Sequence, residues 1–123
     1  MRIRGIGRAR SVARRITNRF VRRAVILLYH RVTELAADPQ LLSVSPQHFA
    51  EHLDVIRKVG VPMPLKSLWQ DGRRERSSKC DVIVTFDDGY ADNLYNAKPL
   101  LESHDVPATV FVTTGYMGVQ REF

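Results

Sequence analysis

The chain has little cysteine and no long apolar run, and these shortages exclude several classes of protein. Cys80 is the only cysteine among 123 residues, which excludes an internal disulfide, a CxxC redox pair and a thiolate zinc cluster. The longest apolar run, Ala24–Tyr29, falls far short of the roughly 20 residues that a membrane-spanning helix needs. The N-terminus lacks the apolar core of a secretory signal peptide, so we expect neither a transmembrane helix nor a classical signal peptide.

Acidic residues are missing from residues 1–23, which hold nine arginines. The rest of the chain has ten basic residues against 13 acids, so the net charge of +6 originates in the N-terminus. Apolar residues recur at helical spacing over residues 6–21, which predicts a basic amphipathic helix. Three roles fit this predicted helix. Residues 2–23 could contact anionic lipid peripherally, serve as an arginine-rich targeting segment, or pack as a helix on the domain. No nucleic-acid partner is expected, because no aromatic ladder accompanies the arginines.

The pattern of the remaining residues predicts an α/β domain over residues 24–123, preceded by a basic helical extension over residues 1–23. Buried strands are predicted at residues 24–29, 61–64, 82–86 and 106–112, and helices at residues 46–60 and 90–104. Gly60 is predicted to cap the first helix in a left-handed conformation, and Leu68 and Trp69 are predicted to be buried. A strand, helix and strand with these connections predict parallel neighbouring strands.

Two adjacent carboxylates follow the strand at residues 82–86, in the stretch V-I-V-T-F-D-D-G-Y. Ligands of parallel α/β folds bind at the carboxyl ends of strands, where Asp87 and Asp88 would lie. Like charges this close repel each other unless a cation lies between them. A divalent metal would allow one Asp to ligate it and the other to take a proton from its bound water, and Gly89 would permit a positive φ. On spacing alone, a simple turn that caps the next helix remains an alternative.

Histidines supply the other candidates for a site. His30 follows the strand Ala24–Tyr29 and would face the same side of the sheet as Asp87 and Asp88. His48 and His52 lie four residues apart on the predicted helix, which is a metal-ligand spacing. They lack the glutamate of an H-E-x-x-H motif, so we interpret them as an ordinary helix flank.

Several ordered blocks resemble one family. T-F-D-D-G-Y (85–90) resembles the first motif of the polysaccharide deacetylases, also called the NodB-homology or carbohydrate esterase family 4 proteins. L-L-Y-H-R-V (27–32), S-V-S-P-Q-H-F (43–49) and N-A-K-P-L-L-E-S-H-D-V-P-A-T-V-F-V (96–112) resemble further N-terminal blocks of that family, in the same order. The resemblance covers about residues 24–118.

The resemblance implies a distorted (β/α) barrel with parallel strands, of which residues 24–123 would be the N-terminal half. It implies a metal-dependent hydrolase that removes N-acetyl groups from the amino sugars of a polysaccharide. Asp87 would be the general base, Asp88 a ligand of a divalent metal, commonly zinc, and His30 and Tyr90 neighbours of the site. We expect association with the cell envelope or a membrane, with the cytoplasm as the alternative.

The sequence departs from the family at one important point. The second motif of the family, H-[ST]-x-x-H-P, supplies two further metal ligands and does not occur among the 123 residues. We therefore expect a truncated deacetylase domain, whose activity on its own stays open. The alternative function is a non-catalytic deacetylase remnant whose basic N-terminus binds a membrane or an acidic glycan.

Overall fold

The computed structural model describes residues 24–69 and 79–118. The predicted N-terminal helix and most of the polar loop before the central strand lie outside these residues. The strands are β1 Ala24–Tyr29, β2 Arg31–Val32, β3 Ser43–Val44, β4 Gly60–Pro62, β5 Cys80–Phe86 and β6 Ala108–Val110. The helices are α1 Pro46–Val59, a π-helical turn Asn93–Ala97, α2 Lys98–Ser103 and the 3₁₀ turns Leu65–Leu68 and Thr114–Tyr116. None of the described helices is long and apolar enough to cross a membrane.

Strand β5 is the centre of a parallel sheet. Along one edge it pairs with β1 over its last six residues, from Asp81 to Phe86. Along the other edge, β4 pairs with its beginning and β6 with its end. Strands β2 and β3 form a separate parallel pair. The arrangement confirms the predicted α/β class and the parallel crossover between β5 and β6.

Helix α1 begins where the sequence predicts it, because Ser45 caps it and Pro46 suits its first position. The Ser45 hydroxyl oxygen accepts a hydrogen bond from the His48 backbone N–H at 3.2 Å. The helix buries a stripe at helical spacing, Phe49, Leu53 and Ile56, against β5. This stripe and the residues of β5 that face it form the main hydrophobic core.

Three aromatic rings anchor the end of β5 in that core. Phe49 lies 5.1 Å from Tyr29 and 5.8 Å from Phe86 between ring centroids, in edge-to-face geometry. Tyr29 stacks on Phe86 with centroids 5.6 Å apart. Burial raises the pKa of the Tyr29 phenol above its ordinary value of 10.0. The last residue of β5 is therefore held tightly just before the two carboxylates.

Gly60 does not take the predicted left-handed conformation. Its φ of −127° and ψ of −175° are extended, and it is the first residue of β4. A Cβ at this position would overlap the Val82 side chain of the neighbouring strand. Gly60 is therefore required by the close approach of β4 and β5 and not by a helix cap.

Three predictions of burial were wrong for described residues. Leu68 is 41% and Trp69 74% exposed, whereas Met63, just before the 3₁₀ turn Leu65–Leu68, is buried. Strand β1 is covered on one face only. Leu27 and Tyr29 pack on the core. Ile26 and Leu28 alternate with them along the strand and are more than half exposed. The last predicted strand is also shorter than residues 106–112, ending at Val110.

Candidate functional site

The two carboxylates lie where β5 leaves the sheet. The Asp87 backbone N–H donates a hydrogen bond of 3.0 Å to the carbonyl oxygen of Tyr29, the last residue of β1. Both Asp87 and Asp88 are partly exposed. The carboxyl ends of β1 and β5 thus meet at the acid pair, as expected for neighbouring parallel strands.

The backbone turns sharply directly after Asp87. Gly89 has a φ of +73°, which confirms the prediction made from its lack of a Cβ. Asp88 also has a positive φ, +69°, which the sequence analysis did not foresee. Aspartate is one of the few residues with a side chain that tolerates this region. The pair of left-handed residues turns the two carboxylates away from the alternating directions that they would have in a strand.

Replacing Gly89 with alanine is expected to destabilise the fold by about 1–3 kcal/mol, the cost of holding a side chain in a strained left-handed backbone. The new Cβ would also lie 2.9 Å from Val112 Cγ1. Chemical denaturation followed by circular dichroism measures the change. Gly115→Ala is the matched control, because a Cβ there meets no atom within 4 Å. Equal stabilities of the two variants would contradict the prediction.

His30 follows β1 and Tyr90 follows Gly89, so both stand in segments next to the acid pair. His30 Nε2 is 4.0 Å from Asp88 Oδ2, and both side chains are partly exposed. This distance exceeds a hydrogen bond, so the two groups are neighbours without a direct bond. The Tyr90 ring packs against the Arg31 guanidinium, whose Cζ lies 4.4 Å from the ring centroid.

The side chains at this edge are of types that bind zinc, but they are too few for a catalytic zinc site. A carboxylate from Asp88 and an imidazole from His30 are both zinc ligands, yet catalytic zinc sites usually have three protein ligands. Among residues 24–69 and 79–118, no group of three or more His, Cys, Asp or Glu side chains could hold a metal ion. His48 and His52 are exposed on α1, where His52 Nδ1 lies 3.2 Å from the Tyr29 hydroxyl. We therefore derive no reaction step through a metal.

Sequence reasoning missed a buried carboxylate that contacts the same region. Asp92 is 9% exposed and bonds both the Arg31 guanidinium and the Val32 backbone. The signal available in the sequence was the spacing of Asp92 and Asn96, two polar residues four apart on a helical segment that otherwise supplies core residues. The partners, some 60 residues earlier in the chain, could not be read from that spacing.

A cavity of about 790 Å³ borders the turn on the side of the π-helical segment. Gly89 and Tyr90 contribute to its wall, together with apolar residues of β6 and, from α2, Leu101 and the charged Lys98 and Glu102. The Asn93 side chain, which also lines it, has no hydrogen-bond partner among the described residues. Neither carboxylate of the acid pair lines this cavity, so it is separate from the polar edge formed by Asp87, Asp88 and His30.

Comparisons with known proteins find similar proteins in one family. The family model for polysaccharide deacetylases matches residues 74–122. The Bacillus subtilis protein YxkH, named as a polysaccharide deacetylase, is 32% identical over 90 residues, which are 71% of this chain and 30% of that protein.

Two solved structures have the same fold. IcaB from Ammonifex degensii is 31% identical, with a TM-score of 0.65 over 80% of this chain and 41% of that one. The Streptococcus pyogenes deacetylase PplD is 28% identical, with a TM-score of 0.65 over 84% of this chain and 48% of that one. The chain thus spans less than half of each of these relatives. In sequence and in fold the chain is thus similar to the N-terminal part of the polysaccharide deacetylases.

Proposed function

We propose that this chain supplies the acid pair of a metal-dependent hydrolase that removes N-acetyl groups from the amino sugars of a polysaccharide. The observation that carries the proposal is the position of Asp87 and Asp88 at the carboxyl end of β5, with His30 Nε2 4.0 Å from Asp88. Two of the relatives support the reaction class, since YxkH is named as a polysaccharide deacetylase and PplD as a deacetylase. PplD was solved with acetate, which is the product of N-acetyl hydrolysis.

In this proposal the two carboxylates have different tasks. Asp87 accepts the proton of the attacking water as general base, a role that requires an accessible carboxylate near the reacting carbonyl. Asp88 is one ligand of a divalent metal, zinc being the metal that a carboxylate and an imidazole suit, and His30 is placed to be a second. Tyr90 borders the site through its ring. The turn at Asp88 and Gly89 supports a shared site, because it keeps the two carboxylates from diverging as neighbouring side chains of a strand do.

Zinc titration of the chain tests the metal ligand. Isothermal titration calorimetry at neutral pH is expected to show weak zinc binding by the wild type, because Asp88 and His30 fall short of the usual three protein ligands, and no detectable binding by Asp88→Ala, since a principal donor is gone. Glu51→Ala is the matched control, because it removes an exposed carboxylate from α1 and should leave zinc binding unchanged. Equal zinc affinities of wild type and Asp88→Ala would refute the assignment.

A second candidate function is a deacetylase fold that binds without catalysing. It is favoured by the donors at this edge, since Asp88 and His30 are two where catalytic zinc usually has three protein ligands. A wild-type chain that binds an N-acetylated oligosaccharide but releases no acetate, with or without zinc, would support it.

Both proposed functions include a contact between the N-terminus and a membrane or an acidic glycan at the cell envelope. Residues 2–23 lie outside the described part of the structure, and the proposal rests on their charge alone. Nine arginines without an acid provide attraction to anionic lipid or glycan.

A further inference from the structure

We infer that Asp92 is a positioning residue: through Arg31 it holds His30 and Tyr90 beside the acid pair. The tasks of His30 and Tyr90 rest on the proposed function, whereas the positioning itself rests on contacts within the fold. Neither the sequence motif nor the comparisons assign a role to Asp92 or Arg31.

Both oxygens of the Asp92 carboxylate are engaged by the segment that follows β1. Arg31 Nε and Nη2 each lie 2.9 Å from Oδ2, and the Val32 backbone N–H donates to Oδ1 at 2.9 Å. The Asp92 side chain is 8% and the Arg31 side chain 24% exposed. Little water competes for these bonds, and charge-assisted bonds of this length are among the strongest in proteins.

Asn96 completes the attachment one helical turn later. Its side-chain amide donates to the carbonyl oxygen of Val32 at 2.8 Å. Residues four apart lie on one helical face, so Asp92 and Asn96 hold the backbone N–H and C=O of the same residue. Strand β2 is thereby fixed to the helical segment that begins just after the acid pair.

His30 lies between two fixed points. On one side, the Tyr29 carbonyl accepts the Asp87 backbone N–H at 3.0 Å; on the other, Arg31 is bound to Asp92. The Arg31 guanidinium, held by Asp92, also lies against the Tyr90 ring with its Cζ 4.4 Å from the centroid. Loss of the Asp92 charge would release Arg31 and thus affect His30 through the backbone and Tyr90 through the ring contact.

The test is Asp92→Asn in the full chain, compared with the wild type by two-dimensional NMR of side-chain ring signals. Asparagine keeps an oxygen for the Val32 N–H but loses the charge that holds Arg31. We expect altered His30 and Tyr90 ring signals with unchanged signals from the Phe49 ring in the core. Glu102→Gln is the matched control, because it removes an exposed ion pair with Lys98 and should change neither site signal.

Two outcomes would overturn the inference. One is an Asp92→Asn spectrum in which the His30 and Tyr90 ring signals superimpose on those of the wild type. The other is a uniform change of site and core signals, which is what a merely structural role produces. If Asp92→Asn does not fold, the same comparison of His30, Tyr90 and Phe49 ring signals is made with Arg31→Lys. Lysine keeps the positive charge but loses the planar guanidinium and its stacking on the Tyr90 ring.

Zinc titration of the same variant separates this inference from the proposed function. Positioning of a ligand by its supporting residues usually contributes about 10–100-fold to metal affinity, so Asp92→Asn should bind zinc at least about tenfold more weakly than the wild type. A wild type that binds no zinc would refute the proposed metal role, while the NMR comparison would still decide whether Asp92 positions His30 and Tyr90.

Discussion

Replacing Phe49 with alanine is expected to destabilise the fold by about 3–5 kcal/mol, the range for truncating a buried aromatic residue. Phe49 is fully buried and contacts both Tyr29 and Phe86, so its removal opens a cavity beneath the ends of β1 and β5. Equilibrium unfolding in urea, followed by circular dichroism, measures the loss. Since a small domain has a stability of only about 5–15 kcal/mol, we expect the variant to lose a large part of that stability.

The control for Phe49 is Val55→Ala on the same helix. Val55 is 56% exposed, so its truncation is expected to change the free energy of unfolding by less than about 0.5 kcal/mol. A Phe49→Ala variant as stable as Val55→Ala would mean that the aromatic cluster does not anchor the ends of the strands. The acid pair would then lack the rigid support that the fold gives it.

Replacing Asp87 with asparagine is expected to slow acetate release from an oligomer of N-acetylglucosamine by about 10²–10⁴-fold, the usual contribution of a general base. Asparagine has nearly the same shape but does not take up a proton at neutral pH. The Asp87 backbone N–H, which bonds Tyr29, is retained, so the turn should persist. Acetate is measured enzymatically, and zinc binding is measured in parallel.

The two measurements together separate the roles of the neighbouring carboxylates. Asp87→Asn should lose hydrolysis but keep zinc, whereas Asp88→Ala should lose both. An Asp87→Asn variant that hydrolyses at the wild-type rate would exclude Asp87 as the base. A wild type that binds zinc and releases no acetate would favour the non-catalytic alternative.

The positions of the main elements were predictable from local patterns. Ser45 and Pro46 marked the start of α1, and the apolar run before Asp87 marked β5, because caps and buried runs depend on residues close together in the chain. The meeting of His30 with Asp88 was also predictable, since parallel strands place their carboxyl ends at one edge. The roles of these residues remain predictions.

The features that were not predictable depend on distant parts of the chain. Trp69 was expected to be buried from its apolar character, but it is exposed while the nearby Met63 is buried, and only the packed structure shows which of the two is covered. The sequence suggested that Gly60 caps a helix. Glycine is instead required there because Val82 of another strand lies too close to leave room for a side chain. Asp92 was overlooked because its partner Arg31 lies 61 residues away.

The π-helical turn at Asn93–Ala97 makes the number of residues in this helix as important as their identity. Pro99 follows it near the start of α2, where its missing N–H is tolerated. A π-turn contains one residue more than an α-helical turn, and each residue rotates a helix by about 100°. If the same residues formed a continuous α-helix, keeping Leu101 in the core would rotate the Asp92 carboxylate by about 100° away from Arg31. The wider turn therefore lets one helix face two directions, with its end in the core and its beginning at the polar edge of the sheet.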